Sequence, residues 1–286
     1  MKKVLLLGFV VLALAGASSA ISEPTATVNV AITANGFNPR NVTLSAGDTV
    51  VWRNADTAEH QVVSDTGGFR SSPVLAPGRT YSVEFETPSA YSYHDGRNPA
   101  NTGRIIVRGN TVNIGVSSIR TVYRSAVRVF GSVGVARSGE VVEVTITRYG
   151  GRTETKTIVT DSDGTYEFTD RPGIRTEYKA EWRNGSSPQA PFVNVRPLVV
   201  FNVLSARNNL FFVRVRAQRS YRGKVVRIQR QARNGVWVTT KRVRLNSRSQ
   251  ARFRGNFPRG RTIARVWVNT APGYVVGFSN AKTITR

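Results

Sequence analysis

The chain has no cysteine, and its one methionine is Met1. Disulfides, thiolate metal sites, iron–sulfur clusters and cysteine nucleophiles are excluded by that fact alone. Histidine is nearly as scarce, with only His60 and His94. There is no Gly-x-Ser-x-Gly elbow and no glycine-rich phosphate loop, so a nucleophile with its base has little to be built from. Glu84 and Glu86 share one strand face, where carboxylate pairs are ordinarily solvated. The sequence is read as non-enzymatic. A further absence is regional: residues 198–286 contain no Asp or Glu.

Positive charge is unevenly placed. Residues 21–109 hold seven basic and eight acidic residues, residues 110–197 hold twelve and nine, and residues 198–286 hold twenty and none. At the N-terminus, Lys2 and Lys3 precede an apolar run from Val4 to Gly16, and Ala17-Ser18-Ser19-Ala20 offers small residues for cleavage after Ala20. This is the pattern of an export signal over residues 1–20. The run is shorter than the ~20 residues needed to span a bilayer, and no later segment is apolar enough, so the mature chain is expected to be secreted or held in the cell envelope without a transmembrane span.

Short alternating runs separated by Gly, Pro, Asn and Asp recur along the chain. Val28 to Ile32, Tyr81 to Phe85 and Val141 to Ile146 each show the period of two expected of half-buried strands. No stretch after the signal keeps a helical period, which predicts an all-β fold of sandwiches. The second and third segments read as diverged copies of one unit about 85 residues long. Ser138 to Val144 matches Arg222 to Ile228, Thr165 to Phe168 matches Gln250 to Phe253, and Tyr178 to Trp182 matches Ala264 to Trp267. Their size and patterning resemble tandem Ig-like β-sandwich domains over residues 110–197 and 198–286. Asp161-Ser162-Asp163-Gly164 lacks the distal carboxylate of a calcium loop and reads as a hairpin turn. Trp182, Trp237 and Trp267 fall on predicted strands and read as core.

Residues 27–107 carry a more specific pattern. Gly36-Phe37-Asn38-Pro39, Gly47-Asp48-Thr49-Val50, Trp52, Asn54 and His60-Gln61-Val62 are followed by YSYHDGRNPANTGRIIV from Tyr91 to Val107. This segment resembles a plastocyanin-like cupredoxin, which implies a Greek-key sandwich over residues 21–109. In that family the His60 position is a copper ligand, and the other three ligands are Cys, His and Met. Here those positions hold Asp95, Asn98 and Asn101. A blue-copper site needs a thiolate and two imidazoles, so His60, Asp95, Asn98 and Asn101 read as vestigial positions, with no cofactor expected. Two further readings remain open. His60 and Asp95 with the asparagine amides could form a remodelled copper or electron-transfer site, or Asp95 could accept a hydrogen bond from His60 and fill the site with an ion pair. Strand alternation puts His94 on the face opposite Tyr93 and Asp95.

In the last segment arginines alternate with apolar residues. Arg214 and Arg216 flank Val215, Arg242 and Arg244 flank Val243, and Arg252 and Arg254 flank Phe253. Period two puts the guanidinium groups outside, and such rows on one sheet would make a broad positive face. These rows are either a solvated surface or a contact for a polyanion; the loss of every acidic residue favours contact. The expected partners are an anionic cell-envelope polymer, an acidic polysaccharide or an anionic lipid surface. No groove-entering helix or stacking platform suggests sequence-specific nucleic-acid binding.

Overall fold

A computed structural model describes residues 25–286, and every regular element in that range is a β-strand. The export signal read over residues 1–20 lies outside the described residues. No helix there is long and apolar enough to cross a membrane.

The head is a two-sheet sandwich. One sheet has the order β2 (Gly36–Asn38), β1 (Thr27–Thr33), β4 (Asp48–Asn54) and β6 (Thr80–Phe85). The other has β3 (Asn41–Ser45), β8 (Asn98–Arg108), β7 (Ser89–Asp95) and β5 (Val62–Ser64). The pairs β1–β4 and β3–β8 are parallel. Strict alternation along β4 buries Val50, Trp52 and Asn54 and turns Arg53 outward. Val30, Ile32, Val50, Trp52, Tyr93 and Ile105 are completely buried between the sheets. Gly103 is required by this packing, because a Cβ there would lie 2.2 Å from the Tyr93 ring.

The second sandwich pairs a sheet of order β14 (Thr165–Asp170), β11 (Val127–Val133) and β9 (Val112–Val116) with a larger one. The larger sheet runs β10 (Arg120–Val122), β17 (Phe192–Arg196), β15 (Thr176–Trp182), β12 (Val141–Arg148) and β13 (Arg152–Val159), with β16 (Gly185–Ser186) added to β15. The third sandwich repeats this plan. Its small sheet is β22 (Gln250–Arg254), β19 (Leu210–Arg216) and β18 (Leu198–Ser205). Its large sheet is β21 (Trp237–Arg244), β20 (Val225–Gln231), β23 (Arg261–Val268) and β24 (Gly277–Phe278), with β25 (Lys282–Thr285) also on β23.

Two turn and core expectations are corrected. Asp161 to Gly164 is not a hairpin, because β13 and β14 belong to different sheets; the turn arches between them, with Asp161 Oδ1 accepting from the backbone N–H of Thr165 at 3.0 Å. Trp182 is buried, but Trp237 and Trp267 are only partly so and lie on the outer face. On β23 the inward positions are Ala264, Val266 and Val268, which leaves Arg265 and Trp267 outside.

The sandwiches are bonded at both joints. Between head and second sandwich, buried Asp48 meets Arg183 at 3.0 Å and Arg137 at 3.4 Å, while buried Glu140 meets Arg183 at 3.3 Å and accepts from the Trp182 indole at 2.9 Å. Between second and third, the Tyr274 hydroxyl donates to the Gly173 carbonyl at 2.9 Å, and Ile174 and Val195 sit in the third sandwich's core.

Candidate functional site

The head's site begins with Asn54, which is fully buried at the end of β4. Its side-chain N–H groups donate to the carbonyls of Ala58 and Leu75, both at 2.8 Å, and its Oδ1 accepts from the Asp56 N–H at 2.9 Å. The loop from 54 to 60 is therefore folded around one amide. His60 then pairs with Leu75 through two backbone hydrogen bonds of 3.1 and 2.8 Å. Its ring is held between two carboxylates. Nδ1 lies 2.6 Å from Asp95 Oδ2, and Nε2 lies 3.0 Å from Asp56 Oδ2. Asp95 has no solvent exposure, and its other oxygen accepts from the backbone N–H groups of Gln61 at 3.1 Å and Arg97 at 3.0 Å.

The electrostatics favour an imidazolium. Burial works against the charged ring, but the hydrogen bonds to Asp95 and then Asp56 outweigh it and raise the His60 pKa. For Asp95, burial pushes upward, and the bonds from His60, Gln61 and Arg97 overcome it and lower the pKa. The Asp56 pKa is lowered first by its bond to His60.

Of the remaining ligand positions, Asn98 is exposed and pairs with Asp95 across the tight turn that joins β7 and β8. Asn101 lies in the irregular stretch of β8 that follows, with its Oδ1 3.3 Å from where a Cβ of Gly36 would stand. Neither asparagine bonds to His60. His94 faces away, as alternation required, and its Nδ1 meets Asp65 at 2.6 Å on the surface. Among the described residues no group of three or more His, Cys, Asp or Glu could hold a metal ion. The donor set does not fit copper of the type 1 kind: it has no sulfur, and its one imidazole has both nitrogens bonded to carboxylates.

A family model for a cupredoxin-like domain matches residues 4–107. Amicyanin-alpha of Methylorubrum extorquens is 33% identical over 98 residues, a match covering 32% of this chain and 82% of that protein. The chain belongs to the cupredoxin family. A chloroplastic plastocyanin of Tetradesmus obliquus is similar at 31% identity, covering 34% of this chain and 76% of its own length. Among solved structures, amicyanin from Paracoccus versutus matches at 28% identity over 30% of this chain and 84% of that one, with a TM-score of 0.28.

Outside the cupredoxin head, the six singled-out arginines do not share one face. Arg214 and Arg216 on β19 and Arg252 and Arg254 on β22 belong to the small sheet of the third sandwich. Arg242 and Arg244 lie on β21, in the opposite sheet. The expected single positive face is thus split, because β21 closes a hairpin with β20 whereas β22 crosses over to pair with β19. Arg214 is half-buried and bonds Gln250 Oε1 through Nε at 2.8 Å; the other five are exposed.

Three features escaped the sequence reading. Asp56 is the first, although it stands four positions before His60 in the same motif. The second is a stack on the large sheet's outer face. There the Arg265 guanidinium lies 4.1 Å from the Trp237 ring centroid and 4.8 Å from that of Phe278, and Arg227 lies 4.5 Å from Trp267. The third is a cluster of arginines where the second and third sandwiches meet.

Proposed function

We propose that the chain is an exported, non-enzymatic binding protein of the cell envelope or its surroundings. Its Ig-like repeats carry a basic end that contacts an anionic polymer, and its cupredoxin head serves as a scaffold with a closed metal position. The observation that carries this reading is the charge of residues 198–286, twenty basic residues with no acidic one, spread over strands of both sheets and the turns between them. Guanidinium groups suit oxyanions, and a field of one sign draws a polyanion from a distance. The head supports it from the other side, since His60 offers no free ring nitrogen.

The test is binding of the purified full chain to immobilised anionic polymer across a salt series. Affinity should fall steeply and linearly in log–log form with salt, as counterion release demands. Binding insensitive to salt refutes the electrostatic reading. Metal analysis after copper addition tests the head, where one His60-dependent copper per chain would refute the closed site.

A further inference from the structure

A groove of about 710 Å³ runs along the junction of the second and third sandwiches. Resting on the reading of the chain as a polyanion-binding protein, we propose that this groove is the binding site and that its ligand is a linear phosphate polymer.

Five arginines line it: Arg124 from the second sandwich and Arg214, Arg216, Arg219 and Arg248 from the third. No carboxylate is among the lining residues. Arg214 is oriented by Gln250, whose Oε1 accepts from Nε and Nη2. Arg124 stacks over the Tyr123 ring at 5.4 Å, and Arg219 reaches across the joint over the Tyr149 ring at 5.1 Å. Among the described residues no acceptor meets the guanidinium groups of Arg124, Arg216, Arg219 or Arg248. No carboxylate neutralises these four like charges, which repel one another along the groove, and an anion spanning them removes that repulsion.

The groove is also held in shape. The Tyr274 oxygen accepts from the backbone N–H groups of Gln218 at 2.9 Å and Arg219 at 3.2 Å while donating to Gly173 of the second sandwich at 2.9 Å. One hydroxyl thereby fixes the segment carrying Arg219 against the second sandwich. Arg124 and Ser249 both hold left-handed backbone conformations, at φ of 61° and 56°, which non-glycine residues adopt only where the surroundings impose it.

The donor inventory selects the ligand. Guanidinium groups donate and never accept. Two of the groove's three serines have accepting bonds already, Ser249 from the Tyr221 N–H at 2.9 Å and Ser220 from the Arg222 N–H at 3.1 Å, which leaves those two hydroxyls mainly to donate. Such a wall suits a polymer that is all acceptor. An ionised phosphate chain is one, whereas a uronate polysaccharide brings ring hydroxyls that would need acceptors of their own. The aromatic faces here are already taken by arginine, which leaves no platform for bases.

The experiment titrates the full chain against long-chain inorganic polyphosphate, with polygalacturonate and single-stranded DNA as comparison ligands. With four to five phosphate contacts, the log–log salt slope should be about −3. The double variant R216K/R219K conserves charge but removes the planar forks, and it should weaken polyphosphate binding about tenfold. R252K/R254K, on the same sheet but outside the groove, should stay within about twofold of wild type. Equal effects from the two pairs would overturn the groove while leaving polyanion binding intact. Tighter binding of polygalacturonate or of DNA would overturn the ligand class. If wild type binds none of the three, the broader reading falls together with this one.

Discussion

Replacing Asp95 by Asn is the sharpest perturbation of the head. The variant keeps an oxygen for the Gln61 and Arg97 N–H groups but turns an amide toward His60 Nδ1, where two donors then face each other. The ring relieves this by losing its Nδ1 proton and keeping Nε2–H for Asp56, so its pKa must fall. In wild type the two groups bracket a window of stability. His60 has a raised folded pKa, so its contribution is complete below about pH 6.5 and is lost as pH climbs through the folded value. Asp95 has a lowered one, so its contribution is complete above about pH 3.9 and is lost as pH drops through the folded value. Between those limits the buried pair is intact, and breaking it should cost about 3 kcal/mol. Once pH passes either folded value the wild type and variant should converge. Urea denaturation at closely spaced pH values, with NMR titration of the His60 ring, measures both effects. An unchanged His60 titration, or a stability difference that does not vary with pH, would refute the pairing.

Two more predictions concern packing and the first joint. Asp48→Ala takes one of two carboxylates from Arg183 and frees the Ala26 and Ser45 N–H groups, and should cost about 3 kcal/mol by denaturant unfolding; a loss under 1 kcal/mol would show the joint to be ornamental. Gly103→Ala forces a methyl into the Tyr93 ring and should destabilise by about 1–3 kcal/mol, visible as a lowered Tm with the second and third sandwiches unaffected.

How much of this was legible in the sequence depended on range. The strands were, because alternation is local: the Val213–Arg214–Val215 run needs only its own pleat to decide which side chains turn in. The closeness of His60 and Asp95 was also visible as one reading, since the family's register places both positions at one site. Asp56 was not, because its approach to His60 depends on a loop wrapped around the Asn54 side chain, which no periodicity announces. The two basic faces and the Asp161 arch were missed for a common reason. Consecutive strands may pair with each other or with strands far away, and turn residues do not encode which. Trp267 is different, since its alternation with Ala264 and Val266 already put it outside; the habit of treating tryptophan as core overrode a signal that was present.

Ile174 and Val195 belong by sequence to the second sandwich and by packing to the third. A scission just before Leu198 would therefore not release a finished module; it would open the third core along Tyr221 and Tyr274 and leave apolar surface on both fragments. The second and third sandwiches are welded into a single unit of inheritance. Their shared burial obliges them to be gained, lost or transplanted together.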